Sequence, residues 1–178
     1  GLGFRCRGHR SRQFLSHGRM QQGNQQLVMP NNLEAFRRRP IQHVDPIAVK
    51  MALQCKGSDK VCLITDANIG AGLGKGKYKF GNEEVQIEYP GAPARLVKNG
   101  GLAGSGLTMD KVVRNAIKML DVDIIQAIKM ASSNPAKVLR LKNKGIIKEG
   151  YDADFVMLDE QLNIVKTFIG GRCCYGRK

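Results

Sequence analysis

The sequence predicts an α/β chain: a helix–strand rhythm of the kind found in a barrel or a doubly wound sheet, followed by a separate small β layer. Three observations predict it. A capped helix at 45–57 leads across the short turn "KGSDK" into the apolar run "VCLITDA" at 61–67. Two stretches with a helical apolar period fill 108–141. The last stretch, "KGIIKEGYDADFVMLDEQLNIVKTFIGGRCCYG", reads as three short strands punctuated by Gly145, Gly150 and Gly170-Gly171.

Residues 1–40 stand apart from the rest. They hold eight Arg against the single acid Glu34, which is half of the formal charge of +14. From Lys50 onward Lys outnumbers Arg 16 to 5. The segment has no sustained apolar period of 2 or 3.6 and is expected to be an Arg-rich leader, disordered or non-native. A transit peptide is disfavoured because no amphipathic stretch accompanies the arginines.

The helix at 45–57 has an Asp45 N-cap, Pro46 at its first position and a Gly57 stop. "VCLITDA" is short, apolar and β-prone, which suits a strand buried on both faces of a parallel sheet. Residues 77–97 carry "KYKF", "EVQIEY" and "ARLVK" between Gly-Asn and Pro-Gly-Ala-Pro turns, and are expected to be a small antiparallel hairpin excursion. "TMDKVVRNAIKML" starts on Thr108 and is apolar at 109, 112, 113, 116, 117 and 120. A second helix from 123 is expected to break at Asn134-Pro135 and restart at the proline. Met109, Met119 and Met130 occupy apolar helical positions and are expected in the core.

Several function classes fall away. No run of 18 apolar residues and no signal-peptide core is present, so a soluble, cytoplasmic chain without a membrane partner is expected. The five cysteines are odd in number and form no C-x-x-C pair, against a disulfide framework and a zinc knuckle. Gly70, Gly72, Gly74 and Gly76 fit neither the dinucleotide nor the P-loop spacing. What remains is Asp66, a carboxylate at the C-terminal end of a buried strand, where parallel-sheet enzymes gather catalytic groups. A turn or N-cap carboxylate is the alternative reading.

"HVDPIAVKMALQCKGSDKVCLITDA", "NGGLAGSGLTMDKVVRN", "AIKMASSNPAKVLRL" and the closing β motif together resemble the C-terminal part of the N-acetylglucosamine-6-phosphate deacetylases of the amidohydrolase superfamily, over residues 41–178. The resemblance implies the last strands and helices of a (β/α)8 TIM barrel over 41–141 and part of a small C-terminal β-sandwich domain over 142–178. It implies a phosphorylated amino sugar as substrate, with deacetylation to glucosamine 6-phosphate and acetate in amino-sugar catabolism. It also implies a divalent metal, zinc or iron, and a homo-oligomer for the intact enzyme. Asp66 matches the family's catalytic aspartate, which touches the metal and shuttles a proton. His43 matches a substrate-binding histidine, and Leu102, Ala103 and Gly104 match a loop whose backbone lines the substrate pocket. Gly70 to Gly76 then read as a flexible connection leaving the barrel strand, and Asp152 and Asp154 as turn-shaping residues away from the metal.

Three departures limit the likeness. The family's glutamate and histidine metal ligands have no counterpart, since His9 and His17 lie in the Arg-rich segment. The pattern before His43 reads Pro40-Ile41-Gln42. A complete barrel takes about 250 residues. The expectation is therefore a C-terminal fragment with an unrelated or out-of-frame leader, inactive by itself. Another amidohydrolase, such as a cyclic amide hydrolase, is an alternative that "LAGSGLTM" disfavours. A basic nucleic-acid-binding protein is a second, disfavoured by the lack of basic–aromatic interleaving.

Overall fold

The computed structural model describes residues 27–30 and 45–177. Helix α1 (Pro46–Lys56) begins where Asp45 accepts a hydrogen bond from the Ile47 amide at 2.8 Å, and ends at Gly57, whose φ of 75° a side chain would strain. It lays Val49 and Leu53 inward and exposes Ile47 and Met51. A single 3-10 turn (Ser58–Lys60) delivers the chain into strand β2 (Val61–Ile64). Val61, Cys62 and Leu63 are all buried, so neither face of the strand meets water.

The neighbour of β2 comes from within the Arg-rich leader. Strand β1 (Leu27–Pro30) pairs with it in parallel, Leu27 opposite Val61 and Pro30 opposite Ile64. Within the segment expected to be a disordered or non-native leader, these four residues are a strand. A run of four is too short to show a period, and its pairing depends on a partner far downstream.

The excursion is larger than a hairpin. Strands β3 (Gly76–Phe80), β4 (Glu83–Ile87), β5 (Pro93–Leu96) and β6 (Leu102–Ser105) form a four-stranded antiparallel sheet in that order. One face packs Val85, Ile87, Ala92 and Ala94 against Tyr78, Phe80, Leu96 and Ala103. Leu102 to Gly104, expected as a loop, are instead the body of β6. The tight "KNGG" turn makes this possible: the Gly100 amide bonds to Leu96 O at 2.8 Å and Leu96 N to Gly101 O at 2.8 Å. The glycines before β3 are partly a packed element too, because a Cβ on Gly70 would stand 2.5 Å from the Tyr78 ring.

Helix α2 (Met109–Met119) turns Val112, Val113 and Ala116 onto β2, where they meet Val49, Leu53, Val61, Leu63, Leu107 and Met130 in one core. Met130 is fully buried and Met119 packs at the margin of that core, whereas Met109 lies exposed on the first turn. Helix α3 (Ile124–Ala131) opens with a capping box between Asp123 and Gln126. It stops at Ser132, two residues before the expected break, and α4 (Ser133–Val138) carries Pro135 in its first turn. No intrahelical partner is lost there, because the first turn's amides have none.

The three short strands expected at the end form one sheet, β7 (Phe155–Leu158), β8 (Ile164–Ile169) and β9 (Arg172–Gly176), with antiparallel pairing. None of its strand residues is buried, and its main apolar contact is the stack of Phe155 on Phe168, 4.5 Å between centroids. Arg114 of α2 ties this sheet to the helices, donating to Leu162 O at 2.7 Å and to Asp110 at 2.6 Å. Burial alone would raise the Asp110 carboxyl. The Thr108 hydroxyl and the Arg114 guanidinium outweigh it and hold the group below its usual range.

Candidate active site at the end of strand β2

Past Ile64 the chain leaves the ladder and turns. Asp66 takes φ of 49°, the left-handed region, and its side chain is exposed. That conformation costs an L-residue about 1–2 kcal/mol, and Asp is among the side chains that tolerate it. The end of β6 supplies the compensating contacts. Ser105 N donates to Asp66 O at 2.7 Å, Asn68 N donates to Ser105 O at 3.0 Å, and Ala67 and Ser105 form a parallel bridge.

Side chains reinforce these backbone bonds. The Ser105 hydroxyl donates to Thr65 O and accepts from Leu107 N at 3.2 Å, and the residue is 1% exposed. Asn68 donates from Nδ2 to Ala103 O at 2.8 Å and accepts from Gly70 N at 3.0 Å. Gly104, at φ of 82°, lies so close that a Cβ there would stand 2.6 Å from Asp66 O. Asp66 is thus fixed through its main chain, while its carboxylate makes no hydrogen bond or ion pair with any described residue.

Of the residues read from the sequence, the structure brings Asp66, Ala103 and Gly104 together, with Leu102 beside them at the start of β6. His43 lies outside the described residues. Sequence reasoning missed Asn68 and Ser105. The signal available was a buried polar residue flanked by glycines in "LAGSGL", which becomes telling only when its partners at 65–68 are known.

A metal fits these residues poorly. Among the described residues no three His, Cys, Asp or Glu side chains converge, around Asp66 or elsewhere. Cys62, nearest in sequence among the thiols, is pushed up in pKa by burial and so stays protonated. The hollow between Asp110 and the last sheet, lined by Asn163, Thr167, Tyr175 and Arg177, does not include Asp66. Among the described residues no helix is long and apolar enough to cross a membrane.

Residues 43–174 match the model of the amidohydrolase family. Over 130 residues the chain is 43% identical to an N-acetylglucosamine-6-phosphate deacetylase from Lysinibacillus sphaericus, covering 73% of this chain and 33% of that protein. It is 38% identical to a putative N-acetylgalactosamine-6-phosphate deacetylase from Escherichia coli K12, covering 73% of this chain and 76% of that one. A crystallised N-acetyl-D-glucosamine-6-phosphate deacetylase from Mycobacterium smegmatis, an aspartate-to-alanine mutant in complex with N-acetyl-D-glucosamine-6-phosphate, superposes with a TM-score of 0.70 at 27% identity. That superposition covers 83% of this chain and 37% of the crystallised one. The chain thus spans about a third of the length of the Lysinibacillus relative.

Proposed function

Because the chain belongs to the amidohydrolase family, we propose that it is the C-terminal part of a cytoplasmic deacetylase that hydrolyses the acetamide of an N-acetylhexosamine 6-phosphate. N-acetylglucosamine 6-phosphate is the favoured substrate. The observation that carries this reading is Asp66: a strand-end carboxylate with a clamped main chain and an uncommitted side chain. In the same reading β1, β2 and their helices are the closing part of a (β/α)8 barrel, and β7 to β9 belong to a small β-sandwich.

The chemistry follows from the position of the carboxylate. As a water oxygen attacks the acetamide carbonyl carbon, Asp66 takes its proton. When the C–N bond breaks, the same proton passes to the leaving nitrogen and the carboxylate is restored, while the acid that departs gives up the other water proton to solvent and becomes acetate. Backbone groups of Leu102, Ala103 and Gly104, alongside Asp66 on β6, would line the sugar side of the site. Amidohydrolases are generally dependent on a divalent metal. Asp66 alone does not hold one, so the remaining ligands must come from outside the described residues.

The test combines this chain with the N-terminal two-thirds of the Lysinibacillus deacetylase and assays acetate release from N-acetylglucosamine 6-phosphate and from its galactosamine epimer. Activity in the mixture, absent from either piece alone, is the expected result. No acetate from either sugar in a mixture that has assembled would sink the reading.

A further inference from the structure

We infer that Ser105 is a positioning residue that sets the left-handed backbone of Asp66 and so aims its carboxylate. The catalytic half of this inference rests on the deacetylase reading above. Ser105 meets the β2 end at three places around the turn. Its hydroxyl donates to Thr65 O, its amide donates to Asp66 O at 2.7 Å, and its carbonyl accepts from Asn68 N at 3.0 Å. Only one of these uses the side chain, but that one has no substitute. The hydroxyl is buried, with Thr65 O on one side and the Leu107 amide, 3.2 Å away, on the other. Removing it takes this partner from the buried Leu107 amide and from the part-buried carbonyl of Thr65, the residue preceding the turn.

Positive φ at Asp66 is a higher-energy state that persists only while its surroundings dictate it. Without the tie at Thr65 the turn relaxes toward an extended backbone, and the carboxylate swings with it. Gly104 completes the device from the other side. Because a Cβ there would fall 2.6 Å from Asp66 O, only glycine lets β6 approach closely enough for the Ser105 amide to bond.

The experiment has two arms. In the chain itself, nuclear Overhauser intensity between the amide and α protons of Asp66 reports the short distance that positive φ imposes. Ser105→Ala and Gly104→Ala are expected to lengthen that distance, and Ser105→Thr, which keeps the hydroxyl, to retain it. An Asp66 signal unchanged in Ser105→Ala overturns the inference. Should alanine prevent folding, Ser105→Cys, with its weaker donor, carries the same comparison.

The second arm uses the complemented enzyme. Ser105→Ala is expected to lower kcat about 100-fold, the usual penalty for a reacting group misplaced by about 1 Å, with KM little changed. In an Asp66→Asn background it is expected to cost nothing further, because it acts through that carboxylate. Losses that multiply instead would overturn the positioning role. If the unaltered pair of pieces releases no acetate, the deacetylase reading fails, and the Asp66 signal still decides whether Ser105 sets the turn.

Discussion

Asp66 and Asp154 each stand beside an alanine next to a β-strand, Asp66 past the C-terminal end of β2 and Asp154 just before the start of β7, and the molecule treats them in opposite ways. Asp154 is committed. Its carboxylate pairs with Lys144, which also holds Asp152 at 2.8 Å, and accepts the Gly170 amide at 2.8 Å. Those hydrogen bonds hold its carboxyl below the usual range, the Lys144 contact most of all. Asp66 has its main chain tied by β6 and its carboxylate left open. A carboxylate that closes a turn is consumed by structure; one whose backbone is fixed and whose oxygens are unpaired is available for chemistry.

The sheets around them differ in the same sense. Strand β2 buries three successive side chains, with Val61 and Leu63 in a core shared with helices α1, α2 and α3, whereas β7, β8 and β9 bury none. Precision at a reacting group needs a strand that does not move, and packing on both faces provides it. The open sheet gains its order from the Phe155–Phe168 stack, the Arg114 tie and the Lys144 pairs.

Exchanging the carboxylate for an amide gives the largest contrast. Asp66→Asn in the complemented enzyme is expected to lower the rate about 10³-fold, the middle of the range for losing a general acid–base group. Its thermal midpoint should stay near that of the parent. Asp154→Asn should leave the rate intact and lower stability instead. Equal loss of activity in both variants would erase the distinction.

Packing is next in size. Leu63→Ala, at 2% exposure, is expected to cost about 3 kcal/mol in urea unfolding. Val156→Ala, on the exposed side of β7, should stay within about 0.5 kcal/mol. Asn134→Ala sits between them. Its Nδ2 donates to Ser58 O and Val61 O, both at 2.7 Å, at the entrance to β2. Losing both bonds inside a buried site should cost about 2 kcal/mol, and a negligible change would show that the entrance is held by α4 packing alone.

The smallest effect concerns pH. The folded Asp154 carboxyl is depressed, so its contribution is present above the unfolded carboxylate pKa and is lost as pH falls through the lower folded value. The melting temperature of the parent is therefore expected to converge on that of Asp154→Asn as pH is lowered from neutral to below about 3.9. A gap independent of pH over that interval would mean that the Lys144 pairing contributes nothing.

What the amino-acid order determined by itself is local. Asp45, Pro46 and Gly57 bound α1, and the apolar spacing of 108–120 places α2 on the core, because caps and helical periods act over three or four residues. The strand-end position of Asp66 was legible too, from the apolar run before it. Tertiary structure decided the rest. Leu27–Pro30 is a strand only because β2 lies beside it, and "LAGS" becomes a fourth strand only because the turn at 99–101 folds it back on β5. The break at Ser132 comes before Asn134-Pro135 because α4 places Asn134 over the Ser58–Val61 carbonyls. The clamp on Asp66 joins residues about forty positions apart. Hydrogen bonds at that separation leave no periodic trace in sequence, since each depends on two segments meeting in space rather than on the spacing within either.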